Sequence, residues 1–475
     1  MPRDSGCTRK GRALARSRFR LLGFLAAAIV AAGAVARPAL AAEPIEWSQF
    51  QGDAAHSGVG PEDGPLPPYG QAWTFGEPGS NRGLSSAVIA GDVAIAVGLE
   101  GVYAVDLASG VERWRVPRAG GPLAPPALGT SEGRTVVVFT EGAEDDAAAV
   151  VAVDVATQQE LWRTGLEDVS RSGVTMDGGS AFLGDDSGTL YAVDVDSGDL
   201  AWTLEEGGQI GSPPAAGGGV VYAAISDPQS GRVMVAAVDE AGVPEGGETL
   251  WTYEPPVAGR SLSAPALTAD SLLVGISERL LVALSPADGS ELWGHRLNTE
   301  SSQLSAPAAG DVIVVSDLGG GVYGVEPVSG DREWSYQLNE LLFRSSPVIV
   351  GGFTVVGLQD GRLVAIDLET AELVWESAPA EGAIGGIAVA SGTLVAARGG
   401  DEGGLVAFVE DPEGELLHVA SPTISDFPVM IGSFAAAFAV VFVVLFGLGK
   451  LVESRFPLDT IEPVGETEVG DGEDR

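Results

Sequence analysis

The chain has 475 residues but only one cysteine, Cys7, and three histidines, His56, His295 and His418. Cys7 sits in a basic N-terminal stretch, so nothing beyond it can form a disulfide, a thiolate nucleophile or a Cys-ligated metal site. The histidines fall in separate segments with no ligand spacing, and His-Glu-x-x-His is absent, so a zincin site has no support. Positive charge is scarce too: 26 Lys and Arg stand against 66 Asp and Glu. Such a field repels nucleic acid and anionic headgroups, attracts cationic partners and keeps an exported domain soluble. Helices are disfavoured by 67 Gly and 29 Pro, a content that suits short strands joined by tight turns.

Two apolar runs break this pattern, one near each end. Arg3, Arg9, Lys10, Arg12, Arg16, Arg18 and Arg20 precede the apolar Leu21–Ala36, and Ala39-Leu40-Ala41 offers a small-x-small cleavage site. Residues 1–41 therefore read as a secretory signal peptide, with an uncleaved N-terminal anchor as the alternative. Phe427–Leu448 is 22 residues without a charge, long enough as a helix to cross the bilayer. Lys450 and Arg455 follow it, while Val419–Asp426 carries no cation, so positive-inside bias puts the tail in the cytoplasm. The expected order is a signal peptide (1–41), a lead-in with a ring-closing strand (42–80), a repeat domain (81–420), a transmembrane helix (427–449) and an acidic cytoplasmic tail (450–475). That places the protein in the cell membrane, single-pass, with its repeats outside.

The repeats begin with Gly101–Trp114, GVYAVDLASGVERW, an apolar run, an Asp, a Ser-Gly turn and a closing Trp. Similar text ends at Trp162, Trp202, Trp251, Trp293, Trp334 and Trp375, and an eighth closing Trp, Trp73, comes first. The steps between these Trp residues are 40 to 49 residues, a period that signals a propeller, solenoid or array. Asp-Gly and Gly-Gly between apolar runs mark hairpins, and the middle strands are apolar throughout, as strands covered on both faces can be. Trp73 has the look of an outer strand with no strands before it, and Ala383–Val419 has three good strands and no Trp. Complementary ends of this kind predict closure into a ring. The expected fold is all-β: an eight-bladed β-propeller of four-stranded antiparallel blades, plus one C-terminal transmembrane helix.

Ala104, Asp106, Ser109, Gly110 and Trp114, and again Ala192, Asp194, Ser197, Gly198 and Trp202, spell Ala-x-Asp-x-x-Thr/Ser-Gly-x-x-x-Trp. This resembles the pyrroloquinoline-quinone-like (PQQ-like) β-propeller repeat. Asp154 and Trp162 match with Gln158 in the Gly place, and Asp367 and Trp375 match with Ala371 there. Gly324 stands where the Ala would be in the unit ending at Trp334. The opening Trp47-Ser-Gln-Phe-Gln-Gly-Asp-x-x-His-Ser-Gly is similar to the family's lead-in. Physically, the Asp should accept N–H bonds in the turn, the Gly should take the left-handed position, and the Trp should dock between blades.

The family includes quinone-dependent dehydrogenases, non-catalytic scaffolds and sensor domains, so the resemblance implies one of these. Against an enzyme stand the missing vicinal cysteines and the lack of an Asp or Glu that stands out from the repeat as a catalytic base or Ca²⁺ ligand. Asp194-Val-Asp196-Ser-Gly198-Asp199 is metal-like but is the repeat turn, and Glu141-Gly-Ala-Glu144-Asp145-Asp146 reads as a solvated loop tip. Gly129-Thr-Ser131-Glu-Gly133 fits a nucleophile elbow in letters only, since a strand and not a helix follows. Gly217–Gly219 and Gly319–Gly321 open strands, so they cradle no phosphate. Arg82, Arg171, Arg260 and Arg344 precede first strands and would ring one mouth of the central channel, as an anion or carboxylate site or as charge balance. The expectation is a membrane-anchored extracytoplasmic module that binds protein partners, with no catalytic activity and no cofactor. The alternatives are a quinoprotein dehydrogenase using PQQ and Ca²⁺ and the extracellular sensor subunit of a signalling complex.

Overall fold

In a computed structural model the described residues are 44–417, apart from 78–82, 143–146, 228, 241–246, 257–261, 298–302, 343–344, 391 and 401–402. The expected signal peptide, the expected transmembrane helix and tail, and Arg82, Arg260 and Arg344 lie outside them. Among the described residues no helix is long and apolar enough to cross a membrane.

Eight antiparallel sheets form blades in chain order. Blade 1 runs through Val88–Ala90, Val93–Val97, Gly101–Asp106 and Glu112–Pro117, and blade 2 spans Ala127–Gly165. Blades 3, 4 and 5 begin at Thr175, Ala215 and Ala266, and blades 6, 7 and 8 at Ala308, Val348 and Ile384. In each blade the four strands run in order from the hub outward, the fourth, carrying the Trp, lying outermost.

Blade 8 is completed from the front of the chain. Tyr69–Phe75 pairs with Gly404–Glu410, so that Trp73 faces Ala407 and the ring is zipped shut. Innermost strands of neighbouring blades touch from blade 1 to blade 6, and blade 8 touches both blade 7 and blade 1. A shared apolar layer joins blade 6 to blade 7. The core is therefore partitioned into apolar layers between neighbouring blades, except that the layers on the two faces of blade 8 form one cluster. Val137 and Phe139 of blade 2 meet Ile95 and Val102 of blade 1, and Phe182 of blade 3 meets Val221 and Met234 of blade 4. This is why Val93–Val97 is buried at all five positions and does not alternate: both of its faces are covered.

First strands run from one face of the ring to the other, and the lead-in decides how the two faces differ. Ile45–Trp47 adds a fifth, innermost strand to blade 1. The chain then crosses the hub at the far ends of the first strands, bonding to one blade after another. Ser48 O accepts Leu128 N–H of blade 2, and the Gln49 side chain exchanges bonds with Met176 of blade 3. Ala54 O accepts Ala216 N–H of blade 4, and Ala55 O accepts Leu267 N–H of blade 5. Ser57 O takes Ala309 N–H of blade 6, and Gly58 O takes Ile349 N–H of blade 7. At blade 8, a side chain added at Gly60 would meet Val389. The lead-in thus plugs one end of the channel, and that side is called the plug face below.

Candidate functional site

The opposite end of the channel remains open as a cup of about 1010 Å³, with Phe50 of the plug among its lining. Its wall is built from the short segments that enter each first strand, where Ser, Pro, Ala and Gly keep the backbones close together. Ser85, Ser172, Ser263, Ser305 and Ser345 occupy corresponding places in five blades. Each hydroxyl accepts an N–H from the second strand of its own blade, at 2.8 to 3.0 Å. These serines are therefore structural locks. Ser86, Ser212, Ser346, Gln303, Arg171 and Arg398 are among its other polar side chains.

Arg171 is exposed at the mouth and pairs with Asp186 at 2.6 Å. It is the one residue of the expected Arg ring that the described residues contain. Arg118, behind the wall, is buried with its guanidinium caged by the carbonyls of Thr140, Gly98, Gly121 and Pro122. Burial brings its pKa down to about 10.

Three buried carboxylates brace the hairpins on the cup side. Asp185 accepts from Ser187 N, Thr189 N and Tyr191 Oη, and Asp317 accepts from Gly319 N and Tyr323 Oη. Glu77 holds Leu99 N, Glu100 N and Tyr103 Oη. Burial and then Glu77 push the Tyr103 hydroxyl up to about 12, and burial likewise raises Tyr191. Carboxylates saturated in this way keep the hairpins rigid and are not themselves free to act as acid or base.

The two described histidines also stand outside the cup. His295 lies on the outer strand of blade 5, against Trp293. His56 is in the plug, fully buried, with Nδ1 3.0 Å from Pro265 O and Nε2 3.1 Å from Thr175 Oγ1. Pro265 O can only accept, so Nδ1 carries the proton and Nε2 accepts the Thr175 hydroxyl. Among the described residues no group of His, Cys, Asp and Glu could hold a metal ion. Among the described residues Asp317 is the one carboxylate lining the cup, and it is spent on its own hairpin, so they form no donor set for a quinone with Ca²⁺.

At the rim the repeat residues form a relay from blade to blade. Trp73, Trp162, Trp202, Trp251 and Trp293 each donate Nε1–H to a carbonyl of the following blade, at Leu107, Val195, Glu240, Pro286 and Pro327. That carbonyl belongs to the residue after the repeat Asp or its substitute. Asp106, Asp154, Asp194 and Asp367 each accept the N–H three residues on, closing the turn. Gly110 and Gly198 sit at φ 70° and 78°, and a side chain there would lie 2.7 and 2.5 Å from Trp73 and Trp162. The glycine is thus needed both for the turn and as the seat of the preceding Trp.

Trp114 and Trp334 break the relay. The blades that follow them carry Gln158 and Ala371 in the Gly place, at φ 60° and 57°. Gln158 Nε2 takes the Val155 carbonyl that corresponds to the relay acceptor, and Trp114 is left half-buried without the bond. Trp334 has sunk over Gly324, into space an Ala methyl would fill, and its buried Nε1 has no partner. Trp375 packs edge-on between Tyr69 and Phe408 of blade 8. Restoring glycine with Gln158→Gly should therefore stabilise the ring by about 1 kcal/mol, by removing left-handed strain and reseating Trp114. The expected readings are a higher denaturation midpoint and blue-shifted Trp emission; an unchanged midpoint would count against this account.

One acidic segment is placed differently from expectation. Glu141 is not part of a solvated tip: it ends the second strand of blade 2, is buried, and pairs with Arg163. A buried carboxylate needs a cation, which Arg163 supplies from the fourth strand. Glu144, Asp145 and Asp146 lie outside the described residues. Gly129–Gly133 is a hairpin, the chain turning at Glu132 and Gly133 between Ala127–Ser131 and Arg134–Glu141.

A PQQ-type family model, described as outer membrane protein assembly factor BamB, matches residues 146–300 and 229–428, more than half of the chain. The chain belongs to this family. The BamB of Yersinia pestis is 22% identical over 248 residues, 49% of this chain and 53% of the relative. That of Burkholderia pseudomallei is 27% identical over 288 residues, 58% of this chain and 72% of the relative. The chain spans about half the length of the first curated relatives it matches. Among solved structures, BamB from Moraxella catarrhalis superposes with a TM-score of 0.56 at 17% identity, covering 72% of this chain and all of that one. A quinohemoprotein alcohol dehydrogenase from Pseudomonas putida gives 0.62 at 13% identity, covering 80% and 82%. Likeness at these identities speaks for the propeller alone, shared by BamB and dehydrogenases.

Proposed function

We propose that this protein is an exported, membrane-tethered propeller that acts as a protein-binding scaffold and carries no chemistry of its own. The observation that carries the reading is the state of the cup's polar groups. The hydroxyls of its five locking serines and the Asp317 carboxylate are tied into the walls, and neither described histidine reaches it. Membership of the BamB family supports the same reading, since the relatives are named assembly factors for outer membrane proteins. With no cysteine after Cys7 to carry a lipid, the apolar Phe427–Leu448 is the tether, and the propeller stands outside the cytoplasm.

Crosslinking in intact cells tests this directly. No lysine occurs between Glu43 and Asp426, so amine-reactive reagents would find little to hold, and photoreactive residues placed around the rim are the better probe. One protein recovered in stoichiometric yield is the expected result, and its absence from every rim position would remove the scaffold reading. Dye reduction by the ectodomain with alcohols or sugars, dependent on added PQQ and Ca²⁺, would replace it with an enzyme.

A further inference from the structure

Both ends of the described chain leave the propeller on the same face. Pro44 O accepts Gly91 N–H at 2.7 Å, beside the hub, in the turn after the first strand of blade 1. At the other end Asp411 N–H is held by Pro68 O at 2.8 Å, and Leu417 N–H by Val374 O at 2.7 Å, at the start of the outer strand of blade 7. Both places belong to the plug face. The apolar runs Leu21–Ala36 and Phe427–Leu448 lie seven and nine residues beyond these points.

We infer that the plug face looks toward the membrane and that the open cup, with Arg171 at its mouth, looks away from it. The surface offered to an exported soluble protein is then the cup and its surrounding hairpins; the plug face is confined to the gap above the bilayer. The inference rests on the tethering proposed above but not on which apolar run is retained, because the two emerge together.

Length argues against the inverted arrangement. Connectors of seven and nine residues reach at most about 25 and 32 Å. An outer strand such as Arg332–Gln337, six residues long, takes up roughly 20 Å of ring height. With the cup against the bilayer, the C-terminal connector would spend most of its length descending the rim. The N-terminal one would first have to cross from hub to rim, for which it is too short. Charge then sets how close the plug face comes: Asp106, Asp194, Asp196, Asp288, Glu326 and Asp367 all stand in its turns, so anionic headgroups would hold it off.

Val328 and Asn339 lie just beyond the two ends of Arg332–Gln337, Val328 on the plug face and 85% exposed, Asn339 exposed on the cup side. In the full chain with Cys7 replaced by Ser, Val328→Cys or Asn339→Cys gives a single site for a donor dye. The protein is placed in phosphatidylcholine vesicles carrying an acceptor lipid. Transfer from position 328 should exceed that from 339 roughly two-fold or more, given ends about 20 Å apart. Equal transfer, or more from 339, in protein that floats with the vesicles overturns the orientation alone. Protein that fails to float overturns the tethering, and the orientation with it.

Discussion

Trp73→Ala should destabilise the propeller by about 3–5 kcal/mol, whereas Trp114→Ala should cost less than half as much. Both residues occupy the same place in the repeat, so sequence alone would rank them equally. Trp73 is 8% exposed, bonds to Leu107 O and sits on Gly110. Trp114 is half-buried and has lost its acceptor to Gln158. Trp73 also belongs to the strand that closes the ring, so its loss weakens both the closure within blade 8 and the contact of that blade with blade 1. Equilibrium unfolding in urea would measure the two differences, and limited proteolysis should cut Trp73→Ala first between residues 44 and 75. Equal losses for the two variants would contradict the relay described at the rim.

Acid should destabilise the propeller through His56. Burial outweighs the opposing pulls of the Pro265 carbonyl and the Asp53 charge and brings its pKa to about 4, from 6.5 in the unfolded chain. Between these values the unfolded state binds the extra proton, so stability is complete above pH 6.5 and falls as the pH drops toward 4. The full loss is about 3 kcal/mol. A neutral residue of similar size and bonding, His56→Gln, should flatten the pH dependence over this window even if it lowers stability at neutral pH. A profile that keeps its slope in the variant would assign the acid effect to the carboxylates instead. Protonation removes the acceptor that Thr175 Oγ1 uses and places a charge between blades 3 and 5. The plug is thus the first part expected to loosen.

The ring and its closure were legible because they are written in side chains that recur. Trp73 carries outer-strand text with no inner strands before it, and only a blade lacking its outer strand could receive it. The plug was not legible, although its Trp47–Gly58 text resembles the family's lead-in. Its bonds to the blades run mostly through main-chain carbonyls at Ser48, Ala54, Ala55, Ser57 and Gly58, which leave no mark on residue identity. His56 looked like one scattered histidine among three, since nothing near it in the sequence foretells Thr175 and Pro265 as its neighbours. Gln158 and Ala371 were visible departures from the motif, but their effect falls on a Trp one blade earlier. Glu141 opened an acidic run that read as solvated, because the strand carrying Arg163 is brought beside it only by the fold.

The seam between Tyr69–Phe75 and Gly404–Glu410 sets an order for biogenesis. The strand made among the first must wait, edge unpaired, until nearly all of the remaining blades have been synthesised. Its mate emerges only 17 residues ahead of Phe427, where the apolar run begins. Completion of the circle thus comes just before that apolar run is made, and a chain truncated within the last blade would be left with its front strand permanently unmatched.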